Sequence, residues 1–159
     1  MDGGGAGRGE QKGTGMIGQD LGERHSDWAG VTRDVLDVRG TAVHVLRAGR
    51  PGTGVPQLLV HGLGGSSTNW IEVMLDLAEH GEVVAPDLPG FGRTRPPVPG
   101  ASRVRANARF LRALLDKLGW QRAVVHGNSM GGTIATLFTD LAPERVAGLA
   151  LVAPALPTP

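Results

Sequence analysis

The 159-residue chain predicts an α/β fold, a mostly parallel sheet flanked by helices. Three observations predict it. Short apolar runs alternate with helical patterns from Val31 onward. Runs ending at Val60, Ala85 and His126 each lead into a glycine-rich or turn-rich segment. Between a strand pattern and a helix pattern stands Gly127-Asn128-Ser129-Met130-Gly131. In open parallel sheets, sites form at the carboxyl ends of strands, so these three segments mark the functional edge.

Residues 1–27 are glycine-rich and polar with few apolar side chains, and they read as a disordered tail ahead of one domain over 28–159. Val31–Val38 and Thr41–Leu46 are rich in β-branched residues and meet at Arg39-Gly40, which predicts a hairpin. A Gly/Pro loop over 49–56 precedes the buried strand Gln57–Val60. Asn69 and Glu72 have capping-box spacing ahead of a helix whose apolar face is Trp70, Val73, Met74 and Leu77. Gly81 stops it, and Glu82–Ala85 is the next strand. After a Pro-rich loop comes a helix over about 101–118, striped by Val104, Ala108, Leu111, Leu115 and Leu118. Its Arg103, Arg105, Arg109 and Arg112 lie mostly off that stripe and read as a solvated face, with a basic binding patch as the alternative. Ala123–His126 is a strand, Thr133–Leu141 a helix ended by Pro143, and Val146–Val152 a last apolar strand.

Composition narrows the function classes. Sixteen basic residues against fifteen acidic ones imply no nucleic-acid partner. The lack of cysteine excludes disulfides, thiolate catalysis and cysteine metal sites. No apolar run is long enough to span a membrane, and no apolar signal-peptide core stands near the N-terminus, so the expectation is a cytoplasmic protein without a membrane partner.

The chemistry rests on Ser129. A serine hydroxyl is a weak nucleophile and needs a base to take its proton. The Gly-x-Ser-x-Gly pattern supplies geometry: a sharp strand-to-helix turn that exposes the oxygen, with Gly127 and Gly131 avoiding Cβ clashes. No histidine follows Ser129, and the only later acids are Asp140 and Glu144. His126 reads as a half-buried histidine with a satisfied hydrogen bond; as a base it sits on the same rigid turn as the serine. His61 reads as a residue fixing its own loop, with a base role as the alternative. His80 suits a helix C-terminus. His25 and His44 lie far from the serine in sequence.

Three segments in order, each at a strand end, resemble the α/β-hydrolase family. His61-Gly62-Leu63-Gly64-Gly65 resembles its His-Gly loop, Asp87-Leu88-Pro89-Gly90-Phe91-Gly92-Arg93-Thr94 the loop after its fourth strand, and Gly127–Gly132 its nucleophile elbow. The resemblance implies that Ser129 is the nucleophile and that the backbone N–H groups of Met130 and Leu63 form the oxyanion hole. His61, Gly62, Asp87, Gly127 and Gly131 would support the motif, and Asp87 would be structural. A serine at the elbow argues against the branches that use carboxylate nucleophiles. Gly-Asn-Ser-Met-Gly-Gly is similar to the carbon–carbon bond hydrolases of aromatic degradation.

The family order is serine, acid, histidine, with the last two beyond further strands. The expectation is therefore an α/β-hydrolase fold cut after about its sixth strand, with Ala147–Val152 as an open, self-associating edge. The resemblance implies a serine hydrolase acting on a small-molecule ester or similar acyl bond without a metal or organic cofactor. The isolated chain would be close to inactive. The competing reading is a non-catalytic remnant or small-molecule-binding module.

Overall fold

The computed structural model describes residues 19–20, 28–100 and 102–155. The expected tail over 1–27 lies outside these residues, except that Gln19–Asp20 (β1) pair antiparallel with the next strand. The other strands are β2 (Thr32–Val38), β3 (Thr41–Ala48), β4 (Gln57–Val60), β5 (Val83–Pro86), β6 (Ala123–Asn128) and β7 (Val146–Val152). Three helices alternate with them: α1 (Ile71–Ala78), α2 (Val104–Leu118) and α3 (Met130–Leu141). The strands form one mixed sheet in the order β1-β2-β3-β5-β4-β6-β7. Strands β5, β4, β6 and β7 are parallel, whereas β1, β2 and β3 attach antiparallel.

The antiparallel part is a hairpin whose turn needs two left-handed residues. Arg39 (φ 52°) and Gly40 (φ 81°) supply them, and Asp37 Oδ1 accepts the Gly40 N–H at 2.7 Å. The centre of the parallel part, β4 and β5, is covered on both faces, which explains its short, continuously apolar strands. All four residues of β4 and of β5 are buried. On one face α2 and α3 pack through Leu111, Leu114, Leu115, Ile134 and Phe138; on the other α1 packs through Ile71 and Met74. Each of these large side chains contributes about 1.5–3 kcal/mol by leaving water.

Two details differ from the sequence expectation. A short 3₁₀ turn over Ser67–Trp70 precedes α1, so the reciprocal cap pairs Ser66 with Asn69, not Asn69 with Glu72. The Ser66 N–H donates to Asn69 Oδ1 at 2.8 Å. The turn also rotates the helix: Ile71 is buried while Val73 is 41% exposed. Helix α2 starts at Val104 rather than 101 and ends at Gly119, whose φ of 71° forms a left-handed cap.

Polar groups at the opposite end of the sheet are tightly paired. Glu82 is buried, pairs with Arg47, and accepts the Trp120 indole N–H at 3.1 Å. Arg145 clamps the ends of α2 and β6: its guanidinium donates to Asp116 Oδ1, Trp120 O and Gln121 O at 2.7–2.9 Å. These contacts tie down the amino-terminal ends of the strands and leave chemistry to the carboxyl edge.

Candidate active site

Ser129 sits between β6 and α3 with φ 52° and ψ −121°. A non-glycine residue in that region costs on the order of 1–3 kcal/mol and persists only where its surroundings impose it. Here they do. The Ser129 N–H donates to Val152 O at 3.0 Å, and its carbonyl accepts the N–H groups of Gly132 (2.9 Å) and Ala155 (3.0 Å). The turn after β7 thus grips the peptide on both sides of the serine. Thr133 adds a hydrogen bond from Oγ1 to Ala155 O at 2.5 Å.

The flanking glycines have steric reasons. A Cβ on Gly131 would lie 2.1 Å from Val60 O and 2.5 Å from His61 O, both backbone atoms. A Cβ on Gly127 would meet Gly131 O and Gly132 Cα at 2.6 Å. Helix α3 therefore starts directly against the end of β4. The same closeness brings the His-Gly loop to the serine, since a Cβ on Gly62 would be 3.1 Å from Ser129 Cβ.

Neither the Leu63 nor the Met130 N–H makes a backbone hydrogen bond among the described residues. Met130 opens α3, where the first N–H groups have no partner within the helix. The Leu63 side chain is 75% exposed, at the open side of the loop.

His61 is fully buried beneath this loop, and both its ring nitrogens are engaged. The Leu88 N–H donates to Nε2 at 3.0 Å, so Nδ1 carries the proton and donates to Gly62 O at 2.7 Å. Burial pushes its pKa below the usual imidazole value, against the opposing pull of the Gly62 carbonyl and the Asp87 charge. The bond to Gly62 O also sets the Gly62–Leu63 peptide plane. In a trans peptide the Leu63 N–H points opposite to the Gly62 carbonyl.

His126 points elsewhere. Gln57 donates its amide N–H to Val55 O at 2.8 Å, which turns Gln57 Oε1 toward His126; the ring therefore donates from Nε2 at 2.7 Å. The ring also packs edge-on against Trp70, and burial lowers its pKa. Asp87 is buried and accepts the N–H groups of Ser67 (2.7 Å) and Arg93 (2.8 Å), joining the loops after β4 and β5. Among the described residues, no side chain hydrogen-bonds to Ser129 Oγ.

The sequence pattern did not single out Asn128 or the turn after β7. Asn128 Nδ2 donates to Val152 O at 3.2 Å, and its Oδ1 lies against Gly62, so it joins the elbow, the edge strand and the His-Gly loop. Phe91 packs edge-on to the His61 ring at 5.6 Å and couples the third loop to the same assembly. Pro154 was the one available signal for the turn, as a proline closing the last strand.

A strained serine at the head of a helix, beside a glycine loop at the carboxyl edge of a parallel sheet, defines an α/β domain of the nucleophile-elbow class. The chain belongs to the α/β-hydrolase family: residues 56–159 match the family described as alpha/beta hydrolase fold. It is 39% identical over 104 residues to a 2-hydroxy-6-oxo-2,4-heptadienoate hydrolase of Pseudomonas putida, covering 64% of this chain and 38% of that protein. It is likewise 39% identical over 118 residues to the dihydrolipoyllysine-residue acetyltransferase component of the acetoin cleaving system of Cupriavidus necator, covering 74% of this chain and 31% of that protein. Among solved structures, a membrane phospholipase A described as a bacterial virulence factor superposes with a TM-score of 0.77 at 34% identity, covering 82% of this chain and 42% of that one. A 2-hydroxy-6-oxo-6-phenylhexa-2,4-dienoate hydrolase from Rhodococcus sp. strain RHA1 gives 0.72 at 34% identity, covering 78% and 46%. The chain thus spans about a third of the length of the curated relatives it matches. Hydrolase names recur among these relatives.

Proposed function

We propose that the chain carries the nucleophile half of a serine hydrolase acting on an ester or a similar acyl bond of a small molecule. The observation that carries this reading is the left-handed Ser129, gripped by the turn after β7 and facing the Gly62 loop. Ser129 Oγ attacks the acyl carbon and forms an acyl-enzyme, which water then hydrolyses. The N–H groups of Met130 and Leu63 receive the oxyanion, each worth on the order of 3 kcal/mol in comparable sites. His61 is a positioning residue: through Gly62 O it aims the Leu63 N–H. Relatives named as hydrolases of 2-hydroxy-6-oxo dienoates support a hydrolytic role.

Among the described residues no base reaches Ser129 Oγ. His61 and His126 are committed to other bonds, so Ser129 Oγ keeps its proton and the isolated chain turns over poorly. Incubation with a fluorophosphonate followed by intact-mass analysis tests the assignment. One slow adduct is expected on Ser129 and none in Ser129→Ala; an adduct on another residue refutes the nucleophile.

The absence of a base at Ser129 among the described residues favours one second reading, a non-catalytic module that binds a small molecule at the same loops. That reading expects ligand-dependent melting with no adduct at Ser129 under any condition.

A further inference from the structure

From Leu88 to Leu115 the chain contains six arginines (93, 95, 103, 105, 109 and 112) and no acidic residue. The rest of the chain has ten basic residues against fifteen acidic ones. The near-neutral total therefore hides a strong segregation of charge. All six arginines are exposed, and among the described residues only Arg112 has an ion pair, with Glu144 at a loose 4.0 Å. Arg105, Arg109 and Arg112 follow helical i, i+4, i+7 spacing and form one stripe on α2.

The stripe and the loop before it make one surface. Pro97 lines one hollow with Arg93 and Arg95, and a second with Arg39 and Arg109. Arg39 and Arg109 line a third with Arg112, floored by Phe138 and Ala108. At the tip of the loop stands Pro96-Pro97-Val98-Pro99, with Val98 60% exposed. An apolar tip ringed by cations has two complementary halves: the arginines attract an extended anionic surface, and the tip partitions into an apolar boundary just beneath it. A single small anion would use only a fraction of a stripe that runs about 10 Å along α2, from Arg105 to Arg112, and continues into the arginines of the loop before it. A nucleic acid would leave the apolar tip without a role.

We propose that this face, from Arg93 to Arg112 with the Pro96–Pro99 tip, docks the protein on an anionic phospholipid bilayer. This goes beyond the solvated face expected from sequence. The attachment would be peripheral, since no helix among the described residues is long and apolar enough to cross a bilayer. The loop starts next to Phe91, which packs on His61, so docking would bring the serine edge close to the lipid boundary.

Flotation of the full chain on a density gradient tests the proposal, because vesicles rise and self-associated protein sinks. The chain is expected to float with vesicles of phosphatidylcholine mixed with phosphatidylglycerol, not with phosphatidylcholine alone, and to lose binding at high salt. Each arginine near the surface contributes about fivefold in partitioning, so Arg105→Gln with Arg109→Gln should weaken flotation about thirtyfold. Val98→Ser, which removes apolar surface without adding charge, should weaken it and leave the salt dependence unchanged. All three residues are exposed, and circular dichroism checks that the variants stay folded. Equal flotation with neutral vesicles, no flotation with either, or unchanged flotation of the variants overturns the proposal. So does tighter retention by DNA than by the anionic vesicles.

Discussion

Strands β6 and β7 are parallel neighbours of similar composition, yet they do opposite things. In β6, alternate residues are fully buried, and the strand ends in a strained serine. In β7 no residue is fully buried: Leu149 and Leu151 are 38% exposed and Val152 is 50% exposed. The difference comes from place in the sheet rather than from sequence. β6 has β4 on one side and β7 on the other, whereas β7 is paired on one side only among the described residues. The two are nevertheless coupled, since the elbow hangs from Val152 O and Ala155 N–H. A strained backbone turn thus rests on a strand with no fully buried residue.

The sharpest way to break the comparison is at the elbow. Gly131→Ala pushes a methyl group into the carbonyls of Val60 and His61, which cannot yield without moving β4. It should cost about 3 kcal/mol by denaturant titration. A neutral result would mean that the close packing of α3 on β4 is not required.

Acid should act next. His61 and His126 are neutral in the fold, with pKa values lowered by burial. In the unfolded chain each protonates below about pH 6.5. Below that pH the unfolded state binds more protons than the folded one, so stability is complete above it and falls as the pH drops. Thermal melts from about pH 7.5 to about pH 5.5 should show this fall, and His126→Gln should flatten it.

Thr133→Val removes the bond to Ala155 O that links α3 to the turn after β7. The expected loss is about 1 kcal/mol, together with faster amide exchange at Ala155. On β7 itself, Leu151→Lys should change stability by less than about 0.5 kcal/mol. It should reduce the self-association that an open apolar edge predicts, read by light scattering. If the parent chain is already a clean monomer at tens of micromolar, the edge is not adhesive.

Much of this was legible in the chain. Arg39-Gly40 announced a hairpin because only a tight turn of left-handed residues suits that pair between two β-branched runs. The elbow was legible because small residues flank Ser129 where a strand pattern becomes a helical one. The orientation of α1 was not legible: whether Ile71 or Val73 is buried depends on the 3₁₀ turn before it, which a 3.6-residue periodicity does not encode. Nor were the tautomers of His61 and His126, because their partners, Leu88 and Gln57, are distant in sequence. The charge segregation was visible in the residue order all along, but a whole-chain total cancels it.

The central proposal is that Ser129 is held ready for attack and has no base among the described residues. Intact-mass measurement with an activated acetyl ester, with and without added imidazole, tests it most directly. The account predicts one slow, persistent acetyl adduct that maps to Ser129, forms faster with imidazole, and is absent in Ser129→Ala. Rapid stoichiometric acylation without imidazole, or no adduct at Ser129 under either condition, would contradict it.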